Sequence, residues 1–490
     1  MDIRKLRLAS KIKQSDLAKT VNVDISTLKR WERGLEIPED CFLSHLADVF
    51  QTDFLALKRN QQKLVKTAIP GEGYTTLTSN QESVFPRKNE PPSSARLVLD
   101  LFCGAGGLSY GFEQSGEFLT SCGIDLLNDR IDTFVSNHHY AVGISGDICK
   151  LPLTELKKHC GDVDVVVGGP PCQGFSSIRP FRTLTEGDPR NSLVEQYALI
   201  IKHLQPRWFV FENVVGLLTH EGGKRLESLV NNLSNLGYTT DWRILNTALF
   251  GIPQVRERIV LVGNREGIEF HWPQPTNQHE YKSMAGLESR VLRSDPIFSI
   301  GIPPAITLED AIGDLPPVEA GQEATSYGKI SRLNEYQKLM RDGCQDLTLH
   351  KATSHSKKML NIIRHAGYNI NALPKGLVKS GFSSCYSRLH ADRPSTTLTV
   401  NFVHPASNRC IHPSQNRALT PREGARIQSF PDKYVFKGNM SQIVKQIGNA
   451  VPPLLGKVIA NAIIESEHLH LKKSKKKKTL VKPISVECYA

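Results

Sequence analysis

A cysteine set among prolines and glycines is the side chain best suited to nucleophilic chemistry. Cys172 lies in the segment GGPPCQGFSS, directly after the short apolar run of residues 164–168. The prolines restrict the backbone and the glycines leave space beside it. We therefore expect the loop to present an exposed thiol at the edge of a sheet, where it is a candidate nucleophile.

The other cysteines carry no comparable signal. The chain has ten in all, and they form neither a CxxC pair nor a Cys/His set at the spacing of zinc ligands. We expect nine inert, reduced thiols and no metal site. The histidines His138, His139, His468 and His470 are likewise expected to be surface residues rather than ligands.

A carboxylate and two guanidinium groups are the next candidates. Residues 208–211 (WFVF) predict a strand that ends in Glu212. This places the carboxylate at the carboxyl edge of the sheet, where the active sites of open α/β folds gather. The segment QVRER places Arg256 and Arg258 at the start of a further strand, and their i, i+2 spacing turns both side chains to one face.

A glycine turn between a strand and a helix indicates a nucleotide-type cofactor. The predicted strand of residues 96–101 is followed by FCGAGG and then by the helical stretch LSYGFEQSG. Asp125, after a second strand at residues 118–124, is placed to accept ribose hydroxyls, and Asp147, after a third, to accept an adenine amino group. The spacing fits S-adenosylmethionine as well as a dinucleotide, and the GxGxxG register of NAD-binding proteins is missing.

The first 64 residues predict a separate helical unit. Apolar residues recur there at helical spacing, which indicates about five short helices. Residues 14–19 form one predicted helix, residues 21–24 a tight turn and residues 25–33 the next helix, which together make a helix-turn-helix. The alternative is a small helical docking module. Side chains near the exposed start of the second helix suit contacts with DNA bases and phosphates: Ser26, Thr27, Lys29 and Arg30.

The rest of the chain divides by composition. Apolar strand-like runs alternate with helical stretches from residue 96 to about residue 467, which predicts a parallel α/β sheet. We expect helices at residues 417–432 and 446–460 to pack back on the cofactor domain. The expected order is a helix-turn-helix domain (1–64), a linker (65–95), a catalytic and cofactor-binding domain (96–300), a target-recognition region (301–410), C-terminal motifs (411–467) and a basic tail (468–490).

Charge points to an anionic partner, although only weakly. The formal net charge is +12, and half of it comes from seven lysines and one glutamate in residues 471–490. Nucleic acid is the first candidate partner. No run approaches the ~18 apolar residues that a membrane span needs, and the basic N-terminus lacks the apolar core of a signal peptide. We therefore expect a soluble cytoplasmic protein.

Six motifs in order resemble the DNA (cytosine-5)-methyltransferase family: DLFCGAGG, GGPPCQGFS, FENV, QVRER, RALTPREGARIQSFPD and QIGNAVPP. The likeness covers nearly all of residues 96–464. It implies an α/β fold, with a Rossmann-like S-adenosylmethionine-dependent methyltransferase sheet and a smaller target-recognition domain. The segment DLAKTVNVDISTLKRWERGLEIP resembles the helix-turn-helix of phage repressors, which implies an all-α N-terminal domain.

The resemblance also implies roles for individual residues. Cys172 would add to C6 of a cytosine flipped out of the duplex, Glu212 would act at N3, and Arg258 would contact O2 with support from Arg256. Asp125 departs from the family, which usually has Glu at the ribose position, so cofactor affinity could be lower. The remaining cofactor residues by resemblance are Phe102, Gly104, Gly106, Asp147 and Asn449.

The implied setting is a prokaryotic restriction-modification system. Double-stranded DNA would be the substrate, a cognate restriction endonuclease would be a functional partner, and the helix-turn-helix could repress the enzyme's own gene. The enzyme would be a monomer or a weak dimer. Two alternatives stay open: a tRNA cytosine-5 methyltransferase, and a DNA-binding regulator built on an inactive methyltransferase body.

Overall fold

The computed structural model describes residues 3–10, 12–21, 23–32, 38, 40–67, 83–171, 192–283, 286–293, 301–329, 332–378 and 381–480. The chain divides into two compact units, Met1–Gln81 and Glu82–Ala490. The division lies inside the predicted linker of residues 65–95. The finer boundaries within the second unit stay predictions.

The first unit is a bundle of five helices, as the apolar spacing predicts. They are α1 (Ile3–Ala9), α2 (Gln14–Thr20), α3 (Ile25–Glu32), α4 (Asp40–Val49) and α5 (Phe54–Thr67). Their apolar faces form a buried core that includes Leu17, Leu28, Trp31, Leu43 and Leu46.

A buried carboxylate joins the first three helices of this bundle. Glu32, at the end of α3, accepts hydrogen bonds from Arg7 of α1 and from the Gln14 amide of α2, the latter at 2.7 Å. The Arg7 guanidinium also forms an ion pair with the same carboxylate. This arrangement fixes α2 and α3 at the angle on which a helix-turn-helix depends.

The second unit is built on an eight-stranded sheet with the strand order β1-β4-β3-β2-β5-β6-β9-β7. The strands are β1 (Ser83–Phe85), β2 (Arg96–Leu101), β3 (Phe118–Asp125), β4 (Val142–Ser145), β5 (Val165–Gly168), β6 (Trp208–Val214), β7 (Thr239–Asn246) and β9 (Glu257–Asn264). The two-residue strand β8 (Gln254–Val255) pairs in parallel with β10 (Ser395–Thr396) outside this sheet.

The prediction of a purely parallel sheet is wrong at both edges. Strands β4, β3, β2, β5 and β6 are parallel, whereas β9 runs antiparallel to both β6 and β7. The connection from β7 to β9 holds only a 3-10 turn and β8, and so short a link joins antiparallel neighbours. At the other edge, β1 pairs antiparallel with β4.

Helices cover both faces of the sheet. In chain order they are α6 (Gly107–Glu113), α7 (Asn128–Asn137), α8 (Leu153–Cys160), α9 (Ser192–Leu204), α10 (Gly216–Thr219) and α11 (Lys224–Asn235). Alternate residues of each strand face opposite layers. Leu99, Val166 and Phe211 pack on one side, and Val98, Val167 and Val210 pack on the other.

The region after the sheet is less regular. It contains α12 (Leu308–Ile312), α13 (Glu335–Arg341) and α14 (Lys357–His365), followed by α15 (Pro421–Ile427). Buried ion pairs hold α15 in place. Arg426 pairs with Asp314 and Asp432, and Arg417 pairs with Glu423 at 2.7 Å.

The C-terminal segment returns to the sheet, as expected, but the predicted helix of residues 446–460 is two helices. The first, α16 (Met440–Asn449), ends before the pair Pro452-Pro453, and α17 (Pro453–Leu480) begins there. The prolines explain the break, because proline lacks the N–H that a continuing helix needs. The helix α17 extends through Leu480, so the predicted basic tail begins as helix.

Three glycines allow α17 to lie directly on α6. A Cβ atom on Gly111 would stand 2.1 Å from the Pro453 carbonyl oxygen, and one on Gly456 would stand 2.4 Å from the Leu108 carbonyl oxygen. Gly107 meets the Val451 carbonyl oxygen in the same way, at 2.1 Å. Residues Met440–Ser474 are apolar enough to cross a membrane, but this packing, with Leu455 and Ile459 in the core, is that of a buried helix.

Gly111→Ala should destabilise the protein although alanine favours helices by about 1 kcal/mol over glycine. The added methyl group would overlap a backbone oxygen that cannot move alone, and we expect a loss of about 2 kcal/mol or more in the free energy of unfolding. Gly328→Ala is the control, since no atom lies within 4 Å of its added Cβ. Thermal unfolding of the full chain measures both, and equal midpoints would contradict the close packing of α6 and α17.

Candidate active site at the carboxyl edge of the sheet

The chain order of the strands reverses between β2 and β5. From β2 the chain continues outward through β3 and β4, and then returns to β5 on the other side of β2. In open α/β sheets the crevice at such a reversal, at the carboxyl ends of the strands, is the usual ligand site. The glycine loop follows β2 here, and the segment that leads to Cys172 follows β5.

The glycine loop has a tight, left-handed backbone. Phe102, Gly104 and Gly106 have φ angles of 59°, 53° and 82°. The Gly104 N–H donates to Asp125 Oδ2 at 3.0 Å, and the Cys103 N–H donates to the Ile124 carbonyl at 2.9 Å. A phenylalanine in this region of backbone space is strained, and such strain concentrates at functional sites.

The predicted cofactor acids lie at the ends of adjacent strands. Asp125 ends β3 and stands beside Ser145 of β4, two residues before Asp147. Asp125 Oδ1 accepts the Leu127 N–H at 3.2 Å and lies 3.3 Å from an Arg130 guanidinium nitrogen. Asp147 is half-buried, and its Oδ1 accepts the Cys149 N–H at 3.1 Å.

Asn449 reaches the same edge from the other end of the chain. It is the exposed last residue of α16. Two residues later, the Val451 carbonyl lies against Gly107 at the end of the glycine loop. The structure therefore brings Phe102, Gly104, Asp125 and Asn449 to one edge of the sheet, with Asp147 on the next strand.

Glu212 and Arg258 form a buried ion pair across two antiparallel strands. The strand β6 continues through Val214 rather than ending at Phe211, so Glu212 lies inside it. Arg258 stands opposite Val214, which makes Glu212 its diagonal neighbour on the same face. Arg258 Nε lies 2.9 Å from Glu212 Oε1. No well-aligned hydrogen-bond donor from the described part of the chain reaches Oε1, so the contact is an ion pair.

Arg256 has a different environment. Its guanidinium group is buried and donates to the Ala450 carbonyl at 3.2 Å and more weakly to the Leu398 carbonyl at 3.5 Å. Burial lowers the pKa of Arg256, the nearby Arg258 lowers it further, and Glu212 opposes both. Arg256 thus links the start of β9 to two distant segments, while Glu212 supplies negative charge to both arginines.

Asn213 holds the segment that leads to Cys172. Its side-chain N–H donates to the Pro170 carbonyl at 3.1 Å. A Cβ atom on Gly169 would stand 3.0 Å from Glu212 Oε2, so the backbone passes directly beside the carboxylate. Cys172 itself lies outside the described residues. Sequence reasoning missed Asn213, although its place beside Glu212 in FENV was an available signal.

Two buried glutamines, also missed, connect β8 to the C-terminal motifs. The Gln254 amide donates to Gln428 Oε1 at 2.8 Å and accepts the Leu398 N–H at 3.0 Å. Gln428 in turn donates to the Ile447 carbonyl at 2.8 Å. Of the segment TTLTV, Thr396 belongs to the short strand β10, which pairs with β8 just before Arg256. Leu398 contacts both Gln254 and Arg256.

The predicted DNA contacts lie on the first turns of α3. Lys29 is exposed, as expected. Thr27 is half-buried, and its hydroxyl donates to Asp24 Oδ2 at 3.0 Å, which occupies it at the start of the helix. The side chains of Ser26 and Arg30 lie outside the described part of the structure.

The expectation for the histidines fails at one position. His138 is buried beneath the glycine loop, whereas His139, His468 and His470 are exposed. Within the ranges described, no group of three or more His, Cys, Asp or Glu side chains could hold a metal ion. Burial raises the pKa of the Cys160 thiol to about 12 and that of Cys122 well above its ordinary value.

Comparison with known proteins agrees with this geometry. The profile of the C-5 cytosine-specific DNA methylase family matches residues 97–465, and a helix-turn-helix profile matches residues 3–57. The chain belongs to the C-5 cytosine-specific DNA methylase family and is a DNA (cytosine-5)-methyltransferase with an N-terminal helix-turn-helix.

Two relatives support the same family, and a solved structure shares the fold. The Type II methyltransferase M1.HphI of Haemophilus parahaemolyticus is 34% identical over 376 residues, which cover 75% of this chain and 86% of that protein. M.AgeI of Thalassovita gelatinovora is 33% identical over 445 residues, and the match covers 75% of this chain and 98% of that protein. The fold is shared with the crystal structure of a prophage-encoded Escherichia coli protein described as a DNA modification methyltransferase, with a TM-score of 0.59 and 22% identity. The match covers 76% of this chain and 100% of that one.

Glu212→Gln should destabilise the enzyme, because two buried guanidinium groups would lose their shared carboxylate. Breaking a buried ion pair costs about 3–5 kcal/mol. Glu266→Gln is the matched control: it removes an exposed carboxylate 2.8 Å from Arg207, where the expected loss is below about 1 kcal/mol. Denaturant unfolding compares the two variants, and a loss from Glu212→Gln no larger than the control's would mean that Glu212 does not stabilise the buried arginines.

Proposed function

We propose that the enzyme transfers a methyl group from S-adenosylmethionine to C5 of a cytosine in double-stranded DNA, through a covalent bond between Cys172 and C6. One observation carries the proposal. The Glu212–Arg258 ion pair lies against the backbone that leads to Cys172, and Asn213 fixes that backbone through Pro170. An acid and a cation therefore stand beside the segment that bears the expected nucleophile.

The residue types match the electronic demands of the reaction. Cytosine C5 is a weak nucleophile, so the ring must be activated first. The Cys172 thiolate adds to C6, and the electron pair of the C5–C6 double bond shifts toward C4 and N3. The Glu212 carboxylate, after taking up a proton, passes it to N3. Arg258 stabilises the charge that develops at O2. Arg256, bonded to backbone carbonyls, acts as its support.

The cycle closes on the same residues. S-adenosylmethionine supplies an electrophilic methyl group when bound. C5 takes this methyl group, and S-adenosylhomocysteine is left. A base then removes the C5 proton as the bond from C6 to Cys172 breaks, which restores the C5–C6 double bond and the thiolate, and N3 returns its proton to Glu212. A stacked base cannot reach these groups, so the cytosine must be flipped out of the duplex at a cost of a few kcal/mol.

The carboxyl edge of β2 and β3 fits the cofactor. No atom of the described residues lies within 4 Å of the position of a Cβ on Gly104, so these residues leave space for a ligand at this point. Asp125 already accepts the Gly104 N–H, but each carboxylate oxygen has a second lone pair for a ribose hydroxyl. Phe102, Gly106, Asp147 and Asn449 complete the proposed cofactor site.

Loss of the thiol tests the mechanism. With labelled S-adenosylmethionine, we expect the wild-type chain to methylate pooled genomic duplex DNA and not tRNA, and Cys172→Ser to lose at least about a thousandfold in rate, as nucleophile removal does elsewhere. Activity that survives Cys172→Ser would refute the covalent mechanism. Methyl transfer to tRNA alone would favour a tRNA cytosine-5 methyltransferase. No transfer by the wild type would favour a DNA-binding regulator built on an inactive methyltransferase body.

The biological setting follows from the relatives and from the first unit. The two relatives named above are Type II methyltransferases, which supports a cytoplasmic restriction-modification enzyme with a cognate endonuclease as its functional partner. The described helices of the first unit pack around a core of their own, and the match to a helix-turn-helix profile supports DNA binding by this unit. Helix-turn-helix units often bind DNA as dimers, and we propose that this one represses the enzyme's own gene as a monomer or weak dimer.

If the first unit represses the enzyme's own gene, the chain should prefer the DNA upstream of that gene over random DNA. The full chain should bind the duplex upstream of its gene at least about tenfold more tightly than random DNA of equal length, within the usual range of specific over non-specific binding. Lys29→Ala should weaken this binding and reduce its salt dependence, while methyl transfer is retained. Lys224→Ala, an exposed lysine on α11, is the control, and equal affinity for both duplexes would argue against repression.

A further inference from the structure

A buried polar cluster lies beneath the glycine loop and takes no part in the chemistry above. Its centre is His138, the residue that ends α7, whose ring is 1% exposed. Its Nδ1 lies 2.9 Å from Glu113 Oε1, and its Nε2 lies 3.3 Å from the Gly106 carbonyl oxygen. The ring therefore bridges the end of α6 and the glycine loop.

The two closest contacts of the ring are acceptors, and the Ser109 hydroxyl, 3.4 Å from Nε2, donates its proton to Asp100 Oδ2 at 2.6 Å. A carboxylate and a carbonyl can each receive a hydrogen bond, and an imidazole donates from both nitrogens only when it is protonated. A neutral ring would leave one nitrogen lone pair facing an oxygen. The positively charged form is thus the one that satisfies the site.

The surrounding charges favour the same form. Burial lowers the pKa of His138, but Glu113, Asp100 and the Gly106 carbonyl together raise it above its ordinary value. Burial also raises the pKa of Glu113, yet the His138 ring outweighs burial and the net shift is downward. Burial raises the pKa of Asp100 to about 7, against its hydrogen bond from the Ser109 hydroxyl.

The remaining neighbours of the ring are apolar or uncharged. Phe134 packs at 4.4 Å between ring centres and Tyr110 at 6.0 Å. The Ser109 hydroxyl lies 3.4 Å from Nε2, and Glu113 Oε1 also accepts the Thr120 N–H at 3.1 Å. Glu113 and Asp100 are the charged groups that face the ring from α6 and β2.

The ring also explains one glycine of the loop. A Cβ atom on Gly106 would stand 2.5 Å from His138 Nε2, so the loop rests on the imidazole. The Gly106 carbonyl accepts the Tyr110 N–H at 2.9 Å as well, which begins α6. Moving the His138 ring, or removing its proton, would therefore disturb the turn on which the proposed cofactor site is built.

We propose that the protonated His138 ring, held by Glu113, is a positioning residue for the glycine loop and sets the affinity of the enzyme for S-adenosylmethionine. The inference rests on the proposed cofactor site. His138 does not touch the cofactor: its charge acts through the Gly106 carbonyl.

The sign of the pH dependence follows. The contribution of His138 is fully present below its ordinary pKa of about 6.5 and is lost as the pH rises through the higher pKa that it has in the fold. Affinity should therefore fall on the alkaline side of neutrality. Deprotonation of Asp100 near pH 7 adds negative charge beside the ring, which delays the loss to higher pH.

Calorimetric titration of the full chain with S-adenosylmethionine, across about pH 6 to 9, tests the inference. Glu113→Gln keeps a hydrogen-bond acceptor but removes the charge. We expect its dissociation constant to exceed that of the wild type by about tenfold near neutral pH, where only the wild-type ring keeps its proton, the scale of a lost charged hydrogen bond. The difference should be much smaller at the acidic end, where both rings are protonated, and at the alkaline end, where neither is. His139→Gln, at the exposed neighbouring position, should bind as the wild type does.

Each outcome decides a different point. A loss of affinity in Glu113→Gln that is the same at every pH, or no loss, would overturn the role of His138 charge. If Glu113→Gln does not fold, the wild type alone tests the inference. Its affinity for S-adenosylmethionine must then fall toward alkaline pH, with uptake of a proton on binding. An affinity that does not change with pH overturns the inference. A wild type that binds no S-adenosylmethionine at any pH overturns the proposed cofactor site, and this inference with it.

Discussion

The direct contact between α6 and α17 is the constraint on which the rest of the site depends. Glycines at 107, 111 and 456 let the two backbones touch, so the end of the chain lies against the first helix of the sheet. This contact places residues 449–451 on the glycine loop. The Ala450 carbonyl also accepts hydrogen bonds from Arg256 and Gln428, so one short segment joins the cofactor loop, the arginines before β9 and the motif at α15.

The second organising feature is the buried charge at the edge of β6 and β9. Among the described residues, the Glu212 carboxylate faces two buried guanidinium groups and contacts that of Arg258. Isolated buried charge is costly, and Arg256 reduces that cost by donating to main-chain carbonyls. Guanidinium groups held in a fixed geometry are suited to stabilising negative charge on a reacting ring without rearrangement. The Phe102 backbone in the glycine loop is another local feature that costs free energy. Its strained conformation is kept beside a proposed functional site.

Local patterns predicted much of this architecture. The strand ends at Asp125 and Gly168, the five helices of the first unit and the return of the C-terminal segment all follow from apolar spacing and turn residues. The direction and pairing of the strands at the sheet edges did not follow from these patterns, because they depend on which connections between strands are short. His138 was misjudged because its environment comes from α6 and β2, far along the chain, and Asn213 was missed because its partner is a carbonyl. The roles of Cys172, Glu212 and the cofactor residues stay predictions.

The most direct test of the central claim is to trap the bond between the enzyme and its base. In a pool of random duplexes carrying 5-fluorocytosine, the fluorine cannot leave C5 as a proton does, so a covalent complex should persist after methyl transfer. We predict that mass spectrometry of the digested complex finds the modified base on the peptide containing Cys172. A complex on the exposed Cys149, or methylated product with no covalent complex, would contradict the account.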